Sequence, residues 1–228
     1  MIDARLRQQR SRPSILTCLG AVSCLIAVSL GTPTTSFSST GELTSEDKRL
    51  LAKGELVMKE KNEQRGAYKL FGGQSWQIIN APTSVTWATL QDLSGYKNFI
   101  PLATESVIKH QDPEETDVAI RQQWGPIDIR YVLQTSVQNE KGAVVFRVDH
   151  SQDHDIRAGW GFIRVRPYKK TMSLVSFGAL VDIGDGVFVS IVRPAVRRDL
   201  LRIPYFLKNH IEGGGEVTSS TNGTAAAD

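Results

Sequence analysis

The sequence predicts an α+β fold: one strand, two short helices, six further strands in an antiparallel meander, and a long C-terminal helical segment. Three observations predict it. First, residues 76–106 read as a strand that ends at Asn80-Ala81-Pro82, a short amphipathic helix, and a further helical turn that carries Tyr96 and Phe99 and stops at Pro101. Second, runs of strand-forming residues alternate with turn signals through the middle of the chain. Third, Phe188, Val192, Val196, Leu200, Ile203, Leu207 and Ile211 recur at spacings of three or four, which makes one apolar stripe along a helix.

The N-terminal 40 residues stand apart from this pattern. Arg5, Arg7, Arg10 and Arg12 precede an apolar run over 14–30, and Gly, Thr, Pro and Ser follow. A basic end, a hydrophobic stretch and a polar exit are the design of an export signal. Three readings stay open. Small residues at Ala27-Val28-Ser29 suit cleavage. Residues 14–31 suit an uncleaved membrane anchor, although a span needs about 20 apolar residues. Ala21-Val22-Ser23-Cys24 has the form of a bacterial lipoprotein box, with lipid attached at Cys24. All three place the protein in an exported, periplasmic or extracellular setting, with membrane association through this segment as an option.

Charge and cysteine usage exclude some function classes. The four leader arginines against Asp3 account for the whole formal net charge of +3, leaving 23 of the 27 basic and 23 of the 24 acidic side chains after residue 40. A formally neutral domain lacks the basic excess that nucleic-acid binding needs. Both cysteines, Cys18 and Cys24, lie in the leader, so the domain has no disulfide, thiolate nucleophile or cysteine zinc site. The domain is expected over 41–212, and the Gly-, Ser-, Thr- and Ala-rich residues 213–228 read as a disordered tail.

Within the domain, residues 43–61 read as a helix or an extended lead-in, with Thr44-Ser45-Glu46-Asp47 as capping chemistry. The first strand is expected over 68–79 and the first helix over 83–93, where Pro82 suits a helix start. Ser94-Gly95 breaks that helix and 96–100 forms one more turn. Strands are expected over 104–110, 117–124, 127–138, 143–149, 155–167 and 170–183, joined at Asp112-Pro113, Gly125-Pro126, Asn139 to Gly142, and Tyr168 to Lys170. Pro194 and Pro204 interrupt the last helical segment, which predicts a kink or two abutting helices.

The order of elements and several residues resemble the START-like (SRPBCC, helix-grip) superfamily, in its polyketide cyclase/dehydrase or coenzyme-Q-binding branch. The residues that carry the resemblance are Asn80-Ala81-Pro82 with Val85, Trp87, Leu90 and Asp92; Tyr96, Phe99 and Pro101; Glu105-Ser106; and Gly161 to Pro167 followed by Thr171 to Leu174. It covers about residues 53–212. It implies a curved antiparallel sheet wrapped around a long C-terminal helix, with a cavity between them that takes a lipid, quinone, sterol or polyketide-like molecule.

Strand alternation then selects candidate cavity residues. Ile129, Tyr131 and Leu133 share a face, as do Val144, Phe146 and Val148. Trp160 and Phe162 oppose Gly161, Ile163 and Val165, and apolar residues on both faces beside two glycines predict a bulge at Gly159-Trp160-Gly161. The candidate lining and gate set is Trp87, Phe99, Trp124, Tyr131, Leu133, Phe146, Trp160, Ile163, Phe177, Val196 and Leu200. Ordinary core packing explains each of them equally simply.

Polar clusters give no specific chemistry. Asp149 to Asp155 holds two histidines and three aspartates, but seven adjacent loop residues do not converge as a triad does. No metal and no cofactor is assigned. Arg193, Arg197, Arg198 and Arg202 read as a solvated helix face, with anionic lipid headgroups as the alternative. Tyr131, Arg121 and Gln123 are the polar set that would serve a cyclase or dehydratase if they faced inward. The function expected first is binding or carriage of a hydrophobic small molecule. Enzymatic cyclisation or dehydration and a ligand-free envelope interaction domain are the alternatives.

Overall fold

The computed structural model describes residues 42–213. The expectations for residues 1–41 and 214–228 lie outside the described residues. A short helix α1 (Ser45–Ala52) leads into β1 (Val57–Arg65) and β2 (Tyr68–Ile79). Helix α2 (Thr83–Gln91) and a 3-10 turn (Leu93–Asn98) follow. Then come β3 (Ala103–Gln111), β4 (Thr116–Trp124), β5 (Ile127–Gln138), β6 (Ala143–Val148), β7 (Ala158–Lys169) and β8 (Met172–Asp182). Helices α3 (Val187–Leu201) and α4 (Ile203–Glu212) close the domain.

All eight strands form one antiparallel sheet in the order β1-β2-β8-β7-β6-β5-β4-β3. The strands from β3 to β8 form a meander. The link through α2 carries the chain from β2 to the far edge at β3, so β8 returns beside β2.

Local chemistry explains the element ends. Thr44 Oγ1 accepts from the Asp47 N–H at 3.1 Å while the Thr44 N–H donates to Asp47 Oδ2 at 2.8 Å, a reciprocal cap on α1. In β2, Gly72 and Gly73 adopt φ of 150° and 147°. A Cβ there would stand 2.1 Å from Ala179 O and 2.0 Å from Lys59 O, so only glycine admits both neighbouring strands.

Two faces of the sheet are covered differently. The inner face carries Ile79, Val118, Ile120, Tyr131, Leu133, Val144, Val148, Ile163, Val165, Val175, Phe177 and Ala179, packed with Leu90, Leu93, Tyr96, Phe99, Ile203 and Leu207. The outer face packs Trp76 and Ile78 with Leu51 of α1 and Val57, and Leu70, Ala158 and Leu180 with Tyr68 and Trp160.

Two sequence expectations need correction. The lead-in over 43–61 is helix α1 followed by the start of a strand, β1, that precedes the expected first strand; after Val57-Met58 it reads Lys-Glu-Lys-Asn-Glu-Gln-Arg and has no apolar alternation to betray it. The predicted bulge at Gly159–Gly161 does not form. β7 pairs with β8 without a register shift from Ala158 to Pro167, and the glycines face inward beneath larger neighbours. The final helical pattern divides as expected into two abutting helices: the break falls at Arg202, Pro194 stays inside α3, and Pro204 sits in the first turn of α4, where its missing N–H costs nothing.

Candidate functional site: a cavity under the C-terminal helices

A cavity of about 450 Å³ lies between the inner face of the sheet and α3. That volume is within the range of small-molecule sites, about 300–1,000 Å³. Alternation along each strand supplies the wall: Ile127, Ile129, Tyr131 and Leu133 from β5, Phe146 and Val148 from β6, Gly159 and Ile163 from β7, Phe177, Ala179 and Val181 from β8. Val189, Val192, Ala195, Val196 and Leu200 of α3, with Ile203, form the roof. The Tyr96–Leu102 segment and the β4–β5 turn border the mouth, where Leu102 and Trp124 remain 44% and 53% exposed.

Glycine shapes the interior. A Cβ on Gly161 would stand 2.6 Å from Phe146 Cζ and 2.3 Å from Gly178 O. The absent side chain therefore makes room for the Phe146 ring, which stacks on Phe177 at 6.2 Å between centroids.

The sequence-selected residues separate into four groups. Phe99, Tyr131, Leu133, Phe146, Ile163, Phe177, Val196 and Leu200 border the cavity from the inner face or the helices. Trp124 stands at the mouth. Trp160 borders it too, but alternation turns its indole outward, where it packs on the Leu70–Leu180 cluster under the Arg65 guanidinium at 4.7 Å. Trp87 does not line the cavity; it packs on α2 against the main core. The residue that α2 buries fully in that core is Leu90.

The polar groups arrange differently from the expected set. Arg121 points to the outer face, where Asp128 takes its Nε and Nη2 at 2.9 Å and Glu105 takes Nη1 at 2.9 Å. These bonds raise the Arg121 pKa, and the same contact with Arg121, helped by Arg130, lowers the Asp128 carboxyl to about 2. Gln123 lies on the same outward register and is exposed. Gln122 is the inward residue that sequence reasoning missed. The signal was available: Val118 and Ile120 are fully buried, so their register continues through Gln122 to Trp124 and excludes Arg121 and Gln123.

Inside the site, Tyr131 Oη donates to Gln122 Oε1 at 3.0 Å, and Gln122 Nε2 donates to the Pro101 carbonyl at 2.7 Å. Burial pushes the Tyr131 phenol above its ordinary range. Tyr96 is raised too, by burial first and then by the Asp92 charge; its hydroxyl is committed to Leu90 O at 2.9 Å. Leu102, next to Pro101, has φ of 62°, an uncommon conformation for a non-glycine residue. The Gln123 N–H to Leu102 O bond at 2.9 Å and the Gln122–Pro101 bond hold that bend at the mouth.

The remaining candidates lie away from the cavity. His150 and His154 stand edge to face at 5.2 Å on an exposed loop. Among the described residues, no group of three or more His, Cys, Asp or Glu side chains is placed to hold a metal ion. Arg193 and Arg197 are not a solvated face: both guanidinium groups lie over Phe71, at 5.1 and 5.7 Å, and Arg197 bonds Glu60 at 2.7 Å and Asn62. Arg198 pairs with Asp199, and Arg202 covers the rings of Tyr205 and Phe206.

A single antiparallel sheet gripping C-terminal helices around an apolar cavity decides the architecture. The fold is the helix-grip. No family model and no curated protein matches the sequence. Solved structures do match the helix-grip chain. The Zhui aromatase/cyclase of Streptomyces sp. R1128 is similar at a TM-score of 0.52 and 11% identity, over 70% of this chain and 94% of that one. The TTHA0849 protein of Thermus thermophilus is similar at a TM-score of 0.51 and 13% identity, over 63% of this chain and 98% of that one. At such identities the likeness establishes the helix-grip fold alone. Among the described residues no helix is long and apolar enough to cross a membrane.

Proposed function

We propose that this helix-grip domain binds or carries a hydrophobic small molecule (a lipid, quinone or polyketide-like compound) in the cavity beneath α3. One observation carries the reading: a cavity of about 450 Å³ whose wall is built almost wholly from aliphatic and aromatic side chains. Binding would be driven by removing apolar ligand surface from water, about 25 cal/mol per Å² before ordering costs. The test is uptake of a neutral apolar fluorophore by the delipidated full chain, together with native mass spectrometry of protein purified from its own host. Saturable uptake and a co-purified apolar molecule are expected. Neither signal in a folded sample overturns the reading.

A cyclase- or dehydratase-type activity is the second reading. It is favoured by the inward Tyr131–Gln122 pair and by the fold likeness to an aromatase/cyclase. The outward course of Arg121 weakens it, because Asp128 and Glu105 hold that guanidinium on the outer face, away from any oxyanion developing beside Tyr131.

We also propose that the domain works outside the cytoplasm, on the strength of the arginine-rich, apolar and polar succession in residues 1–40. Fractionation of the native host tests this: recovery in the cytoplasm at full length would contradict it.

A further inference from the structure

We propose that the cavity selects an apolar ligand ending in an uncharged hydroxyl group, held by Tyr131 and Gln122. The inference rests on the binding function proposed above and names the chemistry of the bound molecule.

The argument is a count of donors and acceptors. Of the other polar residues along the cavity, Tyr96 donates its hydroxyl to Leu90 O, Asp155 is drawn to the Arg130 N–H at 2.7 Å, and the charges of Arg198 and Asp199 pair with each other at 3.2 Å. Gln123 turns its side chain to the outer register. Tyr131 and Gln122 remain.

Their orientation is fixed by a third group. The Pro101 carbonyl can only accept, so the amide edge of Gln122 that faces it at 2.7 Å is Nε2. Oε1 then faces Tyr131, and the phenol must donate to it at 3.0 Å. The Tyr131 proton is thereby committed, and burial keeps the phenol protonated. Among the described residues, no protein group takes the second Nε2 hydrogen of Gln122 or donates to Tyr131 Oη. The site offers a ligand one N–H donor and one hydroxyl acceptor.

A ligand hydroxyl matches both, since it accepts from Gln122 and donates to Tyr131. An ether or ketone accepts only. A carboxylate accepts only and brings a charge to a Tyr131–Gln122 pair that touches no cation among the described residues: Arg121 and Arg130 are both held by Asp128 on the outer face, and Arg198, which borders the cavity, is paired with Asp199. Because Pro101 belongs to the mouth segment, a ligand hydroxyl would also join the relay that holds the mouth in place.

The experiment displaces phenylnaphthylamine from the delipidated full chain with dodecanol, methyl dodecyl ether and dodecanoate. Dodecanol is expected to displace the dye at about fivefold lower concentration than the ether, the worth of one ordinary hydrogen bond, and dodecanoate should be weakest. Tyr131→Phe should bring alcohol and ether together, read as the ratio of their displacement midpoints within that variant, whereas Gln122→Leu should weaken both ligands relative to the dye. The comparison in the unaltered protein decides the matter even if a variant fails to fold. Dye uptake with equal alcohol and ether affinities, with dodecanoate the tightest, or with the preference intact in a folded Tyr131→Phe protein, overturns this inference and leaves the binding function standing. Absence of dye uptake by the unaltered protein overturns the binding function itself.

Discussion

Helices α3 and α4 share one apolar stripe in the sequence, yet they are anchored by different physics. In α4, Ile203, Pro204 and Leu207 are buried against the sheet, and Leu207 is 0% exposed. Its far end is tied down as well: Lys208 Nζ reaches Glu212 at 2.6 Å, and Glu212 Oε1 accepts the Asn80 N–H at 2.6 Å. In α3, Val192, Val196 and Leu200 face the cavity and stay half-buried, and among the described side chains of the helix only Leu201, at its end, is fully buried. Polar contacts hold its flank to the sheet, with Arg197 on Glu60 and Asn62 and with Arg193 over Phe71. Pro194 removes one bond of its ladder. The difference teaches that a shared periodicity identifies a helix face and leaves open what the face meets. Here α4 completes the core and α3 roofs a space.

The largest expected effect comes from α4. Leu207→Ala should lower the unfolding free energy by about 3 kcal/mol, read in denaturant titrations, because it opens a void at a fully buried position. Val196→Ala should cost under half of that, since its side chain borders a cavity already present, and should weaken apolar dye uptake. Equal losses from the two variants would break the distinction.

Next in size is the inner wall. Gly161→Ala should destabilise by about 1–3 kcal/mol and reduce dye uptake, because its methyl would push on the Phe146 ring and the Gly178 carbonyl. Thermal melting and dye titration check both.

Arg197→Ala should cost less than about 1 kcal/mol, as a partly exposed ion pair does. It should nevertheless speed amide hydrogen exchange in α3 while α4 keeps its protection. Matching increases in both helices would show that they open as one unit.

The smallest effect is the share of the acid dependence that α4 carries through Glu212. Burial works to raise the Glu212 pKa, but the Asn80 N–H and Lys208 outweigh it and leave it below its ordinary value. A lowered folded-state pKa means stability that is present above the unfolded value, about 4.3, and lost as pH falls through the lower folded one. Glu212→Gln should flatten that acid limb in melts followed from neutral pH downward. An unchanged limb would remove Glu212 from the account.

Much of the fold was legible because its signals are local. Pro82, Ser94-Gly95 and Pro101 punctuate the helical segment, and the turn residues place the six strands from β3 to β8. Strand β1 was not, since a polar edge strand carries no buried alternation. The cavity wall was legible where alternation had an anchor, as on β5 and β6. On β7 both registers are apolar, so the sequence could not tell that Ile163 faces inward while the Trp160 indole faces out. Gln122 escaped notice because its neighbours Arg121 and Gln123 look equally suited to catalysis; the register set by Val118 and Ile120 separates them.

The central claim is that an apolar molecule occupies the space between α3 and the sheet. Filling that space tests it most directly. Ala195 projects from α3 into the cavity, so Ala195→Phe should occupy part of it, hold or raise the melting temperature, and reduce neutral dye uptake by about tenfold or more, as a steric block of an otherwise preformed site does. A folded Ala195→Phe protein that takes up the dye as the unaltered chain does would place the ligand elsewhere and contradict the account.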